Sequence, residues 1–484
     1  MQRKFLTNLL LLMSLNLLVK PVYIFGIDLR VQNLVGPGEY GLFFAIFNFS
    51  MLFNMVLDLG ITNYNNRNIS QHRHLLNKHF SGIITLRLLL GVVYALITLG
   101  IGLLAGYGVR QMNLLMVLVL NQILIALILY LRSNIAGLQM FRTDSFISVL
   151  DRLIMIILCG YLIYSAQHAP QFRIEHFAWL QTVSYFIAAI AALSVVIRKA
   201  AFRRLYWNRL FILMILRKSF PYALLVLLMM FYFRIDSVLL ERLLPYPDGL
   251  RQAGIYASAF RLLDALIMVP YLFSVLLLPM FAKMLQYRED YSLIIRIAFP
   301  LLLVFSLVIV ALSLQYSQEI MGVLYKEHSE ESARVFRLLI PGLVAFSISY
   351  IFSTLLTANG NLRTLNIIAA SAMALNITMN LILIPRYQAA GSALASCSTL
   401  MLAAILQLLV SMKDFKLYPS TIDLVRFAAF VVALTIIVYV GRYVPASWLV
   451  QMGLSAIAMV SCSFLLRMIR LKELWYIIRK ETGS

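Results

Sequence analysis

Long runs of apolar residues, separated by short polar loops, recur along the whole chain. Each run is near the roughly 20 residues that a helix needs to cross the hydrocarbon core of a bilayer. The runs are rich in Leu, Ile, Met and Phe and lack the period-2 alternation of a membrane β-strand. The pattern predicts an all-α integral membrane protein with about fourteen transmembrane helices. The predicted spans are residues 6–30, 40–62, 80–105, 112–132, 146–166, 174–197, 218–243, 252–282, 293–316, 335–358, 364–385, 388–411, 422–441 and 447–467.

The composition excludes an ordinary soluble protein. Of the 484 residues, 62% are hydrophobic and only 13% are charged, whereas a soluble domain is about half apolar and about a quarter charged. The formal charge of +21 would indicate nucleic-acid binding in a soluble protein. In a membrane protein it has another source, because cytoplasmic loops accumulate Lys and Arg. We therefore predict no nucleic-acid partner.

The positions of the basic residues predict the orientation of the chain. With both termini in the cytoplasm, the segments on that side hold more than twice as many Lys and Arg residues as the opposite side. The largest group follows the sixth span, where aromatic residues are interleaved with it. This mixture is typical of an amphipathic helix that lies on the anionic inner leaflet.

A weak internal repeat agrees with a division at this basic segment. Glu39-Tyr40-Gly41 opens the second span and Gly254-Ile255-Tyr256 opens the eighth, while similar sequences end the fourth and tenth spans. The shared offset, roughly 220 residues, equals six helices and predicts two parallel six-helix lobes. The predicted organisation is a first lobe at 1–198, an amphipathic cytoplasmic linker at 199–217, a second lobe at 218–411, and two further helices with a basic cytoplasmic tail at 412–484.

Nine charged residues of the predicted spans are singled out, because a charge within a span costs several kcal/mol and is a functional candidate by default. Depths estimated from the ~1.5 Å helical rise per residue divide them into two layers. The outer layer, from the midplane outward, contains Lys20, Arg234, Asp236, Arg261 and Asp264, and the layer near the cytoplasmic face contains Asp58, Arg87, Asp151 and Arg152.

Two interpretations of the outer layer compete. Arg–Asp pairs, such as Arg261 with Asp264, neutralise each other and hold helices together. Alternatively, a water-filled cavity with Lys20, Arg234 and Arg261 in excess over two carboxylates holds an anionic substrate. The second interpretation predicts a phosphate-binding site at these three cations, because guanidinium forks suit phosphate oxygens. The four cytoplasmic-layer charges are candidates either for a gate or for simple helix-end pairs.

Other polar residues within or beside the spans are expected to have structural or solvent-exposed positions and no part in substrate binding. We expect Asn376 and Asn380, one turn apart in the eleventh span, to form hydrogen bonds across helices. His72, His74 and His79 are expected in a solvated loop rather than at a metal. Neither a metal site nor a catalytic cluster is predicted, so the chain is not expected to be an enzyme.

Several motifs resemble those of a known family. Residues 35–41, VGPGEYG, resemble the "LGPxxYG" signature of polysaccharide transporters. Residues 58–67 resemble the end of that family's second helix, and Arg234-Ile235-Asp236 with residues 254–264 resembles its "RxD…GxYxxAxRLxD" stretch. Residues 380–393 resemble its eleventh-to-twelfth helix junction, although Gln388 stands where a glycine is common. The likeness, which covers residues 1 to about 411, is to the Wzx-type lipid-linked oligosaccharide flippases of the multidrug/oligosaccharidyl-lipid/polysaccharide exporter (MOP) superfamily.

The resemblance implies a V-shaped pair of lobes in a bacterial cell inner membrane. It implies that a short glycan on undecaprenyl pyrophosphate is moved from the cytoplasmic to the periplasmic leaflet, for O-antigen (lipopolysaccharide), capsule or exopolysaccharide assembly. Transport would use alternating access and an H⁺ or Na⁺ gradient, with no bound cofactor. Asp236 and Asp264 are candidates for the ion-coupling groups. Membrane lipids, a polysaccharide polymerase and export machinery are the implied partners.

Two alternatives stay open. A multidrug extruder of the same fold would need an acidic cavity for cationic drugs, whereas the predicted cavity is net basic. A membrane-embedded glycan polymerase or ligase would need a larger outer loop than residues 317–334, or a dense polar catalytic cluster.

Overall fold

A computed structural model of the chain describes residues 14–16, 18–59, 61–62, 75–138, 140–165, 171–199 and 209–469. The regular secondary structure of this part is entirely helical. Eleven helices within it are long and apolar enough to cross a membrane. The predicted all-α membrane fold is therefore confirmed.

Two of the helices run from one predicted span into the next across a kink. Helix α1 (Leu29–Leu52) bends at Gly36, whose φ of 81° and ψ of 165° are not helical, and Pro37 follows. Helix α13 (Leu362–Phe415) bends at Gln388, with φ 53° and ψ −133°. When both helices are divided at these kinks, every one of the fourteen predicted spans has a helix in the described part of the chain.

The chain divides into two compact units, Met1–Gly254 and Ile255–Ser484, called the first and second unit below. The core of the first unit lies between four helices. Phe80 and Tyr130 stack there with ring centroids 6.2 Å apart, and Ile147 and Tyr185 complete the packing. The helices that begin in this unit are a π-helical segment Val22–Asp28, α1, α2 (Met55–Asp58), α3 (Leu75–Leu104), α4 (Val109–Gly137), α5 (Phe141–Tyr164), α6 (Ile174–Ile197), α7 (Arg209–Leu243) and α8 (Asp248–Tyr287).

The backbones of α1 and the start of α8 cross unusually closely. A Cβ atom on Gly41 would lie 1.9 Å from the carbonyl oxygen of Leu250, and one on Gly254 would lie 1.9 Å from that of Pro37. The side-chain amide of Gln32 also donates a hydrogen bond to the Gly254 carbonyl at 3.1 Å. The two glycines belong to the repeated sequence motifs, and both are required sterically, because any larger residue would separate the backbones.

The second unit contains the rest of α8 and seven further helices. Phe281, Leu302 and Ile351 form the centre of one of its cores. In another, Val308 packs against Phe430 and Met459 of the last two helices. These helices are α9 (Ser292–Gln315), α10 (Ser317–Leu324), α11 (Ser329–Leu339), α12 (Gly342–Ala358), α13, α14 (Thr421–Gly441) and α15 (Trp448–Leu465).

The pair α14–α15 is exposed on most of its apolar surface, as expected for helices that face lipid. Val432, Tyr439 and Ile457 are each more than half exposed. Some predicted features lie outside the described residues: residues 200–208 of the linker, residues 470–484 of the basic tail, and His72 and His74. Beyond that gap in the linker, α7 begins at Arg209, and the seventh span was predicted to begin at residue 218.

Candidate functional site

Lys20 lies in the first span, next to a change in helix geometry. Pro21 follows it and precedes the π-helical segment Val22–Asp28. Proline lacks a backbone N–H and its ring crowds the preceding turn, which interrupts regular α-helical hydrogen bonding. Asp28, at the end of the segment, is buried and accepts a hydrogen bond of 2.9 Å from the Tyr40 hydroxyl. Such π-helical turns are rare and are frequent at functional sites.

The first span packs against α5, and this contact brings Lys20 to two other predicted charges. The side-chain amide of Asn16 donates a hydrogen bond to the Ser148 hydroxyl at 3.1 Å. One turn further along the first span, half-buried Lys20 is close enough to interact electrostatically with Arg152 and Asp151 of α5. These three residues form the centre of a charged cluster inside the first unit.

Arg152 is held between two tyrosine rings. Its guanidinium carbon lies 4.7 Å from the centroid of the Tyr23 ring and 5.9 Å from that of Tyr185. Its Nη1 donates to the Tyr185 hydroxyl at 3.4 Å, and its Nε lies 3.5 Å from a carboxylate oxygen of Asp151. The two rings attract the cation and fix the plane of the guanidinium group, so Arg152 has a defined orientation.

The charges of the cluster do not balance. Arg132 donates from Nε and Nη2 to the two oxygens of Asp144, at 2.8 and 3.3 Å, and makes a self-contained pair. Lys20 and Arg152 therefore share Asp151, and one positive charge is in excess among these five described residues. The side chains of Arg152 and Asp151 are 29% and 18% exposed. An excess charge at bilayer depth is unfavourable unless water or an anion compensates it.

The separation of Lys20 from Asp151 and Arg152 into two layers was wrong. The predicted fifth span begins at residue 146, which leaves Asp151 close to the membrane surface. In the structure α5 begins at Phe141, so Asp151 lies ten residues, or about 15 Å, from the start of its helix. At that depth it can reach Lys20.

Asp58 and Arg87, the other two residues predicted near the cytoplasmic face, form a separate pair. Arg87 is buried, forms an ion pair with Asp58, and donates to the Leu57 carbonyl and the Thr62 hydroxyl at 2.6 Å each. Its guanidinium group also lies 5.5 Å from the centroid of the Tyr130 ring. Because its ion pair and both hydrogen bonds are directed to the end of α2 and the residues just beyond it, Arg87 is suited to join α2 and α3.

Arg234 and Asp236 lie on α7 in the first unit. Asp236 is only 1% exposed, and the guanidinium carbon of Arg234 is 4.7 Å from the centroid of the Phe233 ring. The next residue, Ser237, accepts a hydrogen bond of 2.8 Å from the side-chain amide of Asn48 on α1. This part of α7 is therefore firmly packed against α1.

Arg261 and Asp264 are both half-buried on α8, in the second unit. Their three-residue spacing places them on one face of that helix, as predicted. The role of Lys20, Arg234 and Arg261 as phosphate ligands stays a prediction, and so does the role of Asp236 and Asp264 in ion coupling.

Sequence reasoning missed a charged network at one end of the first-unit helices. Arg110, at the start of α4, donates to both carboxylate oxygens of Glu39 at 2.9 and 2.5 Å and to Glu175 at 2.8 Å. It thereby links α1, α4 and α6. The sequence analysis gave these three residues no such role, because each lies at or beside the edge of an apolar run.

A second connection joins α4 to the end of α7. The side-chain amide of Gln111 donates to Glu241 at 2.7 Å, and Arg242 lies 3.0 Å from the same carboxylate. The Arg242 guanidinium group also lies 4.0 Å from the centroid of the Tyr107 ring. Arg110 and Gln111 are adjacent on α4 but bond to different helices. Their adjacency at the start of a predicted span is the only feature of the sequence that points to this role.

The expected hydrogen bond across helices is confirmed for Asn380. The Asn380 side-chain amide donates to the backbone carbonyl of Asn376 at 2.9 Å and accepts from the Ser392 hydroxyl at 2.8 Å. Because Ser392 lies beyond the kink at Gln388, this bond joins the two halves of α13.

Solved structures with the same fold are membrane transporters. The lipid II flippase MurJ in its inward closed conformation aligns with a TM-score of 0.73 at 16% identity, over 95% of this chain and 100% of that chain. An inward-facing multidrug resistance MATE family transporter of the MOP superfamily aligns with a TM-score of 0.64 at 15% identity, over 84% of this chain and 98% of that chain. A MOP superfamily transporter from Pyrococcus furiosus aligns with a TM-score of 0.59 at 18% identity, over 85% of this chain and 94% of that chain. The fold is that of the MOP superfamily transporters.

The family follows from sequence. The model of the family described as "Polysaccharide biosynthesis protein" matches residues 5–285, more than half of the chain. The chain belongs to this family, which confirms the resemblance found in its motifs. Comparison with curated protein sequences gives no match.

Proposed function

We propose that this protein is a flippase that moves a prenyl-diphosphate-linked oligosaccharide from the cytoplasmic to the periplasmic leaflet of a bacterial inner membrane. The observation that carries the proposal is the excess positive charge of the cluster around Lys20, Asp151 and Arg152, inside membrane-spanning helices. Family membership supports a role in polysaccharide biosynthesis, and the fold supports a transporter.

The physical problem of such a substrate is its diphosphate. It carries about two negative charges and cannot enter hydrocarbon without replacement of its hydration. Lysine and arginine side chains inside the spans would supply that replacement, while the prenyl chain stays in lipid. Alternate exposure of the cations to the two sides of the membrane would then carry the head group across.

The finer assignments belong to the same proposal. Lys20, Arg234 and Arg261 would contact the diphosphate, and Asp236 or Asp264 would bind H⁺ or Na⁺ when the substrate leaves. The O-antigen, capsule or exopolysaccharide repeat unit would then pass to a polymerase on the periplasmic side. Both termini would lie in the cytoplasm, in accord with the distribution of Lys and Arg.

A multidrug extruder is the second candidate, because MATE transporters share the fold. A pump for cationic drugs needs carboxylates in excess where the drug binds. The cluster around Lys20 has the opposite sign, so it disfavours such a substrate.

Reconstitution of the purified chain in proteoliposomes distinguishes the candidates. The two substrates are a fluorescent prenyl-diphosphate-linked disaccharide, scored by its accessibility to a membrane-impermeant quencher, and a cationic dye. We expect movement of the lipid-linked sugar above the rate in empty liposomes and no movement of the dye. Movement of the dye alone would contradict the proposal and favour the extruder.

A further inference from the structure

We propose that Arg152, held between Tyr23 and Tyr185, is a principal diphosphate ligand of the first unit, and that Asp151 is its internal counter-ion. In the empty site Asp151 neutralises part of the charge of Lys20 and Arg152, and the diphosphate of the substrate displaces it. This inference rests on the proposed function and changes the assignment of both residues, which the sequence placed among the gate candidates.

The contacts of Arg152 differ from those of the other buried arginines of the first unit. Arg87 makes two hydrogen bonds of 2.6 Å besides its ion pair, and Arg132 makes a two-point pair with its carboxylate. The described polar contacts of Arg152 are long, at 3.4 and 3.5 Å. A guanidinium group has five N–H donors, and a phosphate at Arg152 would replace weaker contacts than it would at Arg87 or Arg132.

The tyrosine rings suit a ligand role more than a structural one. Tyr23 and Tyr185 are 7% and 4% exposed, and they contact the guanidinium group mainly through their faces. Contact of this kind orients the plane of the group and takes up only one of its five N–H donors, the one on Nη1 that donates to the Tyr185 hydroxyl. A phosphate can then bond two of those donors in parallel, which is the strongest arrangement for an arginine.

The Asp151 carboxylate takes the position beside the two cations that a bound phosphate would otherwise occupy. It lies 3.5 Å from Arg152, interacts with Lys20, and is the carboxylate that these two cations share. A diphosphate carries about twice the charge of a carboxylate and more acceptor oxygens, so it competes successfully while bound. After transport Asp151 returns to the cations, which lowers the affinity enough for release, a requirement of any transport site.

The test measures binding of farnesyl diphosphate, a soluble prenyl diphosphate, to the purified full chain in detergent by calorimetry. We expect Arg152→Gln to weaken binding by about tenfold or more, the loss of one charge-assisted hydrogen bond. Asp151→Asn should strengthen binding several-fold, because it removes the competing anion and retains the shape of the side chain. Arg87→Gln is the matched control: it removes a buried arginine of the same unit and should lower thermal stability but leave affinity within about twofold.

Unchanged affinity in Arg152→Gln, or no gain in Asp151→Asn, would overturn the inference. Because Asp151→Asn predicts a gain, a variant that merely fails to fold cannot imitate the expected result. Phosphatidylglycerol at the same concentration should not displace the probe. Displacement by it would mean that the site binds a single lipid phosphate, and would overturn the assignment to a diphosphate.

Flipping measured on the same variants separates this inference from the proposed function. If the wild-type chain and Arg152→Gln flip a lipid-linked sugar equally, the function stands and the Arg152 assignment fails. If the wild-type chain binds the probe through Arg152 but flips no lipid-linked sugar, the binding site stands and the proposed function fails.

Discussion

Gln388 adopts a backbone conformation that side chains other than glycine rarely occupy. Its φ of 53° and ψ of −133° place it in a region that costs a residue with a Cβ atom about 1–3 kcal/mol. Gln388 lies at the kink that divides α13, and the Ser392 hydroxyl donates a hydrogen bond to Asn380 across that kink. The motif that residues 380–393 resemble commonly has a glycine at this place, so the sequence departs from that motif where the backbone favours glycine.

Replacement of this residue by glycine should stabilise the protein. We expect Gln388→Gly to raise the free energy of unfolding by about 1 kcal/mol, because the relief of strain exceeds the added entropy of the unfolded chain. Thermal unfolding of the detergent-solubilised chain measures the effect. Gln388→Ala is the control, since alanine retains the Cβ atom and the strain. An equal gain in both variants would show that the side chain, and not the backbone, is responsible.

The sequence identified the charged residues of the cluster around Lys20 but not the residues that they contact. Lys20, Asp151 and Arg152 stood out because each lies within an apolar run. Their proximity depends on where α5 begins and how it packs against the first span, and neither can be read from hydropathy. The tyrosine rings beside Arg152 gave no signal at all, because a tyrosine in an apolar run is ordinary.

Among the helices, the crossing of α1 and α8 depends on two glycines. Gly41 and Gly254 allow the backbones to approach so closely that a Cβ atom on either would overlap a carbonyl group. The overlapping atoms belong to the backbone and cannot rotate away, so a substitution must separate the helices. The Gln32 hydrogen bond to the Gly254 carbonyl would be lost with that separation.

Alanine at either position should therefore be destabilising. We expect Gly41→Ala and Gly254→Ala each to lower the free energy of unfolding by about 1–3 kcal/mol, the usual cost of overpacking. Gly100→Ala is the matched control, because no atom of a neighbouring element lies within 4 Å of its Cβ position. It should be neutral or slightly stabilising, since alanine favours a helix over glycine. Comparable losses in all three variants would refute the steric explanation.

The helices themselves were largely predictable, whereas their ends were not. Every predicted span has a helix, because roughly 20 apolar residues specify a membrane helix almost without tertiary context. However, α8 continues to Tyr287 and α7 begins at Arg209, beyond the predicted limits. Hydropathy locates the apolar centre of a helix and does not fix the residues at which its hydrogen bonding begins and ends.

For the molecule as a whole, the family and the fold class could be predicted and the internal connections could not. Motifs such as VGPGEYG identified the family from their order and spacing. The network of Arg110 with Glu39 and Glu175 was not foreseen, because it unites three helices that are distant in sequence. Pairing of this kind is set by three-dimensional packing, and the repeat alone did not specify it.

The central claim is that buried cations carry an anionic head group through the membrane. The most direct test is the initial rate at which proteoliposomes flip a prenyl-diphosphate-linked disaccharide, compared for the wild-type chain, Lys20→Gln and Lys20→Arg. Loss of one charge-assisted contact predicts a rate at least about tenfold lower for Lys20→Gln, while Lys20→Arg, which retains the charge, keeps most of the activity. A Lys20→Gln rate within about twofold of the wild-type rate, at equal protein content, would contradict the account.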